Sequence, residues 1–225
     1  IVIKVIKKQF FPDTSAGVDT AIDNGYIQTI ESDYVASNEA EIKVTKVLMD
    51  DYNLDFELDI NLKNTEEQTK ANNIVLANFL IVDENENIIA MNCENIENSY
   101  ERLCELGGIE PNYNAKNYSD GSEYFRVISN IENNYKYVYS THSNEFPKSK
   151  KLKFIFDKLI LWNKNMDVIG QIEGEWVIEV ELPKEFYERE TIIYQVKSCN
   201  REDVNLISLE VSQTAAKLHF ITKWG

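Results

Sequence analysis

The 225-residue chain is poor in the side chains that bind transition metals through nitrogen or sulfur. It has two histidines, His142 and His219, and three cysteines, Cys93, Cys104 and Cys199, without a Cys-x-x-Cys pair. This spacing excludes the usual zinc-ligand patterns. Because three cysteines cannot all pair, at least one thiol is free. A Cys93–Cys104 bridge stays open, and three free buried thiols are the preferred interpretation.

Glycine is also scarce, with 8 residues in the whole chain. The sequence has no phosphate-binding glycine loop, no Gly-x-Ser-x-Gly nucleophile motif and no His-Glu-x-x-His motif. We therefore name no catalytic, cofactor-binding or metal-binding residue and expect no cofactor. Hydrophobic residues make up 43% and aromatic residues 11% of the chain, which indicates a folded protein with a sizeable core.

Positive charge is in short supply: 23 basic against 38 acidic side chains give a net charge of −15. Such a chain repels phosphate backbones and anionic membranes, so no nucleic-acid partner is expected. The acidity is uneven. Residues 1–110 hold 8 basic and 22 acidic side chains, a net of −14, whereas residues 111–225 hold 15 and 16, a net of −1. A partner that docks by charge should therefore contact the first half.

Long apolar runs are missing as well. The opening run from Ile1 to Ile6 is interrupted by Lys4 and is far shorter than the ~20 residues that span a bilayer. The sequence does not start with Met, so we expect it to be a fragment of a longer protein.

Alternation of apolar and polar residues is the dominant pattern. It is strictest from Leu54 to Leu62 and predicts a strand with one buried and one wet face. A strand ending at Met49 precedes it, so Asp50 and Asp51 predict a hairpin turn. The polar stretch from Asp83 to Asn87 predicts a second hairpin. Further strands are predicted near residues 123–129, 135–140, 152–162, 176–182, 191–198, 204–211 and 217–224.

Helical signals are few. One helix is predicted from an N-cap at Asn98, with Tyr100, Leu103 and Cys104 on one side and a stop at Gly107–Gly108. A second, shorter helix is predicted at residues 16–23. Many short strands with few helices predict an all-β fold. The length fits two tandem immunoglobulin-like β-sandwich domains, residues 1–108 and 109–225.

Acidic side chains supply two candidate sites. Asp55, Glu57 and Asp59 share one strand face, for which we prefer a solvated outer surface over a cation or catalytic site. The loop beginning at Asp83 matches a calcium loop at Asn85, Asn87 and Glu94. It has Ile88 where such loops need glycine, so a plain hairpin is preferred.

Aromatic and basic clusters give two more candidates. Tyr135, Tyr137 and Tyr139 alternate along one strand face. If exposed, they form a speculative binding face for sugar rings or a partner; the preferred interpretation is cross-strand packing. The tryptophans Trp162, Trp176 and Trp224 are assigned to the core. The basic run at residues 148–153 is interpreted as the solvated start of a strand.

Several segments of the sequence form a recognisable set. They are GVDTAIDNGYIQTIESDYVASN (Gly17–Asn38) and EIKVTKVLMDDYNLDFELDI (Glu41–Ile60), followed by Leu161–Asn163, Gly174–Glu179 and Leu209–Ser212. Together they resemble the bacterial ectodomain family known as domain of unknown function four-one-seven-nine. These motifs describe strands, turns and packing aromatics, and none is a catalytic signature. One departure is the Ser-Gln at residues 212–213, where Ser-Pro is expected.

The resemblance implies the extracytoplasmic, membrane-proximal part of a single-pass membrane protein of Gram-positive bacteria, similar in layout to anti-sigma regulators. Ile1 to Phe11 would then follow a membrane helix that lies upstream of this chain. A sigma factor would be bound only by a cytoplasmic segment outside this chain. The implied partner of the ectodomain is an envelope protein or a glycan, and no residue of this chain is assigned to it.

Three functional hypotheses follow. The leading one is a non-enzymatic, membrane-anchored ectodomain of anti-sigma type or an envelope sensor. The alternative is a secreted or surface adhesion or glycan-binding module that uses Tyr135, Tyr137 and Tyr139. The third is a carboxylate-dependent hydrolase, which requires a cleft that contains two convergent carboxyl groups.

Overall fold

The computed structural model describes residues 28–29, 32–63, 71–93, 95–121, 123–131, 133–188, 190–196, 204–212 and 216–222. Within these ranges the chain forms thirteen strands and two helices. The strands are β1 (Gln28–Thr29), β2 (Val35–Ser37), β3 (Ala40–Met49), β4 (Asn53–Leu62), β5 (Asn73–Asp83), β6 (Ile88–Asn92), β7 (Glu123–Ile131), β8 (Asn134–His142), β9 (Lys151–Trp162), β10 (Val168–Glu181), β11 (Ile192–Gln195), β12 (Val204–Val211) and β13 (Ala216–Thr222). The helices are α1 (Ile96–Gly107) and α2 (Lys184–Tyr187).

The strands build three antiparallel sheets. The first sheet has the order β1-β3-β4-β8-β7, with β2 also paired to β3. The second sheet has the order β10-β9-β5-β6, and the third is the meander β11-β12-β13. This architecture confirms the predicted all-β class.

The first and second sheets pack face to face around one core. Phe56 of β4 and Phe154 of β9 meet edge to face, with ring centroids 5.1 Å apart. Trp176 of β10 is buried in the same core, and its indole N–H donates to the carbonyl of Ala40 on β3, at 3.2 Å. Alternate side chains of β3, β4, β5, β8, β9 and β10 contribute to this core, apart from local shifts in register, which is the pattern that a β-sandwich requires.

The division into two tandem sandwiches at residue 108 is wrong. Strand β4 pairs with β8, and β5 pairs with β9, so each main sheet takes strands from both sides of that boundary. Residue 108 lies directly after α1, inside the single sandwich. Alternation along a strand shows which face is apolar, but it does not identify the neighbouring strand. The strands and the two hairpins were therefore predicted, whereas the pairing of strands distant in sequence was not.

Both predicted hairpins are confirmed, and each turn is held by an aspartate. Asp50 Oδ1 accepts the backbone N–H groups of Tyr52 and Asn53, both at 2.8 Å. Asp83 Oδ1 accepts those of Asn85 and Asn87, at 2.8 and 2.9 Å. An aspartate that binds its own backbone two or more residues ahead is a strong turn signal.

Helix α1 lies on the outer face of the second sheet. Tyr100, Leu103 and Cys104 are buried against a small cluster that includes Leu80 and Ile155, as the predicted apolar side requires. The predicted cap at Asn98 is wrong. The helix begins at Ile96, and the side chain of Asn95 accepts the Asn98 N–H at 3.4 Å. The predicted helix at residues 16–23 lies outside the described residues.

The end of α1 depends on glycine. A Cβ at Gly107 would come within 2.4 Å of Ile155, and Gly108 has a positive φ of 63°. A side chain would therefore clash at the first position and strain the backbone at the second. None of the helices that the structure describes has the length and apolar content needed to cross a membrane.

We predict that fragments 1–108 and 109–225, produced separately, do not fold, because each lacks the strand partners held by the other. Circular dichroism during thermal unfolding should show no cooperative transition for either fragment. A chain ending at residue 188 is the control, since the main core includes no residue beyond Phe186; it should unfold cooperatively. A cooperative transition in either half alone would contradict the single sandwich.

Candidate functional site

The tyrosine ladder on β8 does not form a binding face. Tyr135, Tyr137 and Tyr139 are buried in the core. Tyr139 stacks on Phe56 with ring centroids 4.8 Å apart, and the Tyr135 hydroxyl donates to the carbonyl of Ala71 at 2.8 Å. The preferred interpretation, cross-strand packing, holds. The exposed aromatic platform that the glycan-binding hypothesis required is contradicted.

The acidic face of β4 is buried rather than solvated, which corrects the sequence-based interpretation. Glu57 accepts a hydrogen bond from Lys46 Nζ at 2.8 Å, and Lys136 lies 3.7 Å from its other oxygen. Asp59 lies 3.8 Å from Lys136 and 4.0 Å from Lys43. Lysines on the two flanking strands thus compensate these two carboxylates, as buried charge requires.

Asp55 differs from its two neighbours. Burial raises the pKa of its carboxyl to about 6, and a hydrogen bond with Ser140 and the charge of His142 oppose that rise only partly.

The carboxylate of Asp83 stabilises its own turn. Asp83 Oδ2 accepts a hydrogen bond from the side-chain amide of Asn87 at 2.8 Å. Across the described residues, no group of three or more His, Cys, Asp or Glu side chains is arranged to hold a metal ion.

Cys93 and Cys104 are free thiols. Burial raises the pKa of Cys93 to about 12 and also raises that of Cys104. Both therefore stay protonated at neutral pH and are poor nucleophiles. Cys199 and Trp224 lie outside the described residues, as does Glu94 of the calcium-like loop.

The basic run at residues 148–153 leads into β9, as predicted. Glu84 Oε2 accepts hydrogen bonds from the backbone N–H groups of Lys150 and Lys151, at 3.0 and 3.2 Å. The side chains of Lys151 and Lys153 lie 3.1 and 3.3 Å from Glu181 and Glu179. These contacts hold the strand end and leave no concentrated phosphate site there.

A polar cleft of about 210 Å³ lies where the first turns of α1 approach the outer face of the second sheet. The sheet contributes one residue of β5, two of β9 and one of β10, and the helix contributes three. The lining residues are Asn78, Asp157, Lys158, Glu173, Asn98, Ser99 and Arg102. We call this the α1 cleft. Two carboxyl groups, those of Asp157 and Glu173, are among the lining side chains.

Asp157 lies at the base of the α1 cleft. Its side chain is 5% exposed, and Oδ2 accepts an ion-paired hydrogen bond from Arg102 Nε at 3.1 Å. Its other oxygen, Oδ1, is buried without a hydrogen-bond partner. Burial raises the pKa of Asp157, while a hydrogen bond from Asn78 and the charge of Arg102 act in the opposite direction.

Sequence reasoning missed this cleft because its residues come from four distant elements and form no motif. The available signal was weak: Asn78 and Asp157 are polar residues near the middle of β5 and β9, two mainly apolar strands. At Asn78 the register of β5 against β9 also shifts. Such irregularities are common beside functional sites.

The third sheet presents an apolar face to solvent. Tyr194, Leu209 and Leu218 lie opposite one another across its three strands, and Leu206 lies opposite Phe220. Ile192, Tyr194, Leu218 and Phe220 each expose more than half of their surface. We call this the third-sheet apolar face and define it as Ile192, Tyr194, Leu206, Leu209, Val211, Leu218 and Phe220.

Polar contacts attach the third sheet to the β3–β4 turn. Glu210 accepts the Tyr52 hydroxyl at 2.6 Å, and Asp50 accepts the Ser212 hydroxyl at 2.6 Å. Asp51 accepts the Thr191 hydroxyl. The hydrogen bond from Tyr52 is the leading cause of a lowered pKa at Glu210. The side of the sheet that carries Glu210 and Ser212 therefore contacts the sandwich, whereas the third-sheet apolar face lies on the opposite side.

Comparison with known proteins gives little further information. No protein-family model matches the chain, and no curated protein matches it. The chain is similar to a solved structure described as the crystal structure of the conserved domain protein from Bacillus anthracis, with 12% identity and a TM-score of 0.48. The match covers 88% of this chain and 57% of that chain. The chain thus spans a little over half of that protein's length.

We predict that Asp55→Asn stabilises the protein at pH 7 by about 3 kcal/mol, because it removes a buried charge whose folded-state pKa is raised. Between about pH 4 and 6, the Asp55 carboxyl of the wild type is protonated in the folded state but ionised in the unfolded state. The free energy of unfolding of the wild type should therefore fall as pH rises through that window. The Asp55→Asn variant should not show this fall. Urea unfolding at several pH values measures it.

The exposed carboxylate Asp33 supplies the matched control. Asp33→Asn makes the same change in charge without removing a buried group. Equal pH dependence of the two variants would contradict an unfavourable buried charge at Asp55.

Proposed function

We propose that this chain is a non-enzymatic, extracytoplasmic binding domain of a membrane-anchored regulator of anti-sigma type. The observation that carries the binding role is the third-sheet apolar face. Monomeric soluble proteins rarely leave a large contiguous apolar patch uncovered, and such patches commonly mark protein-binding surfaces. Localisation and regulatory class rest on the family resemblance in sequence.

The chemistry of the described side chains favours binding over hydrolysis. Glu57 and Asp59 are engaged by lysines, and the thiols of Cys93 and Cys104 have raised pKa values. In the α1 cleft, Arg102 already holds the carboxylate of Asp157, whereas a glycosidase acid must donate a proton. This ion pair argues against Asp157 as the proton donor of a hydrolase.

A second copy of the chain is the occupant that we propose for the third-sheet apolar face. The face carries no charged side chain, so two copies can meet there without placing like charges in contact. Its four most exposed side chains include two aromatic residues, and together they offer on the order of 400 Å² per copy. When the half-buried residues of the face are added, its apolar area approaches the roughly 600 Å² that each partner buries in small stable interfaces.

We predict that the wild type dimerises and that Leu218→Glu weakens the dimer by roughly 100-fold, because it buries an unpaired charge at the centre of the interface. Sedimentation equilibrium measures both constants. Added salt should leave the dimer unchanged or strengthen it, because the two chains, each of net charge −15, repel one another.

The control for this experiment is Ile131→Glu, which introduces the same charge at an exposed apolar residue of β7 outside the third sheet. If the wild type stays monomeric at about 100 µM, its self-association is at best weak, and the proposed dimer is overturned. Equal weakening by the two variants would overturn the assignment of its interface.

Membrane anchoring yields a separate prediction. The gene should encode a stretch of about 20 apolar residues upstream of Ile1, long enough to span a bilayer. Reading the complete reading frame tests this directly. A frame without such a stretch would remove the membrane-anchored part of the proposal and leave the dimerisation test unaffected.

A further inference from the structure

We propose that the third sheet is a separate folding unit whose stability depends on dimerisation. It unfolds on its own while the sandwich stays folded, and a second copy suppresses this unfolding by covering the third-sheet apolar face. The inference rests on the dimer proposed above and adds what that dimer controls. The order of β11, β12 and β13 then depends on whether the chain is paired.

The first observation is how few side chains of the third sheet are buried. Its strands have 4, 8 and 7 residues, and only one of these residues, the polar Ser208, is buried. In β4 of the first sheet, by contrast, eight of ten residues are buried. Burial of apolar surface is the main contribution that offsets the conformational entropy lost on folding. The third sheet obtains little of this contribution within a single chain.

The second observation is the separation of the third sheet from the core. Among the described strands, β11, β12 and β13 pair only with one another. Neither of the two apolar clusters formed by the described residues includes a residue beyond Phe186. Unfolding of the third sheet therefore removes no strand and no core side chain from the sandwich. Segments with few buried apolar contacts unfold locally at a lower free energy than the whole protein.

Hydrogen bonds attach the third sheet to the β3–β4 turn. The Tyr52 hydroxyl donates to Glu210, and the Ser212 hydroxyl donates to Asp50, each at 2.6 Å. Such bonds replace hydrogen bonds to water, so each adds little net stability. They position the sheet on the sandwich, but they do not supply the buried apolar face that a small sheet needs for stability.

A second copy supplies the missing burial. Tyr194, Leu218 and Phe220 each expose more than half of their surface in the single chain, and the proposed dimer covers them. A partner that binds only the folded form of the sheet stabilises that form by mass action. When the total protein concentration is about 100-fold above the dissociation constant, roughly 7% of the chains remain unpaired. The population of the unfolded third sheet should then be roughly tenfold smaller than in the dilute protein.

Hydrogen–deuterium exchange of the full 225-residue chain, measured by mass spectrometry, tests the inference. One sample is well below the dissociation constant of the dimer, and the other is about 100-fold above it. We expect the amides of β12 to exchange faster than those of β8 in the dilute sample and to slow by roughly tenfold in the concentrated one. The amides of β4 and β8 should exchange equally in both samples. Sedimentation equilibrium measures dimer formation separately.

Three variants assign the effect. Leu218→Glu should remove the concentration dependence of β12 exchange, because the introduced charge opposes pairing. Ile131→Glu is the matched control on β7, outside the third sheet, and should keep that dependence. Tyr52→Phe removes the hydrogen bond to Glu210. It should speed β12 exchange roughly fivefold in the dilute sample and leave the slowing at high concentration intact.

Exchange and sedimentation separate the possible failures. If β12 in the dilute sample exchanges as slowly as β8, the third sheet unfolds only with the sandwich and the inference is wrong. If the chain dimerises but β12 exchange does not depend on concentration, the coupling is wrong and the proposed function stands. If the chain stays monomeric at about 100 µM, the proposed dimer is overturned and the coupling fails with it.

Discussion

Aromatic contacts between the first and second sheets hold the two halves of the sequence together. Phe56 on β4 stacks on Tyr139 of β8, at 4.8 Å, and meets Phe154 of β9 edge to face, at 5.1 Å. Tyr139 in turn meets Phe79 of β5, at 5.1 Å. These four rings come from four strands, two in each sheet. Their mutual packing fixes the central strands, and the other features of the molecule are arranged on the outer faces of that sandwich.

The two outer faces are polar in different ways. On the first sheet, Lys46 and Lys136 compensate Glu57 and Asp59 of β4 within the protein. On the second sheet, helix α1 covers the apolar part, and Arg102 of the helix pairs with the buried Asp157 of β9. On both faces, basic side chains from neighbouring elements thus compensate buried carboxylates, as buried charge requires.

Local signals in the sequence predicted the strands and turns well, although not the helix cap, and long-range contacts could not be predicted. The alternation at Leu54–Leu62 and the aspartate turns at Asp50 and Asp83 depend on residues within a few positions, and both hairpins form as predicted. Alternation could not reveal that the polar face of β4 is covered, so Asp55 was expected in solvent. The α1 cleft was out of reach for the same reason, since Asn78, Arg102 and Asp157 meet only after the strands have paired.

The pairing of β4 with β8 also bears on how the chain is made. Tyr139 follows its stacking partner Phe56 by 83 positions. At about 5–20 residues per second, synthesis of that interval takes roughly 4 to 16 seconds. During this time the β3–β4 hairpin has emerged with an apolar face and a free strand edge, both of which promote aggregation. For this topology, protection of the nascent chain is therefore as important as the stability of the finished sandwich.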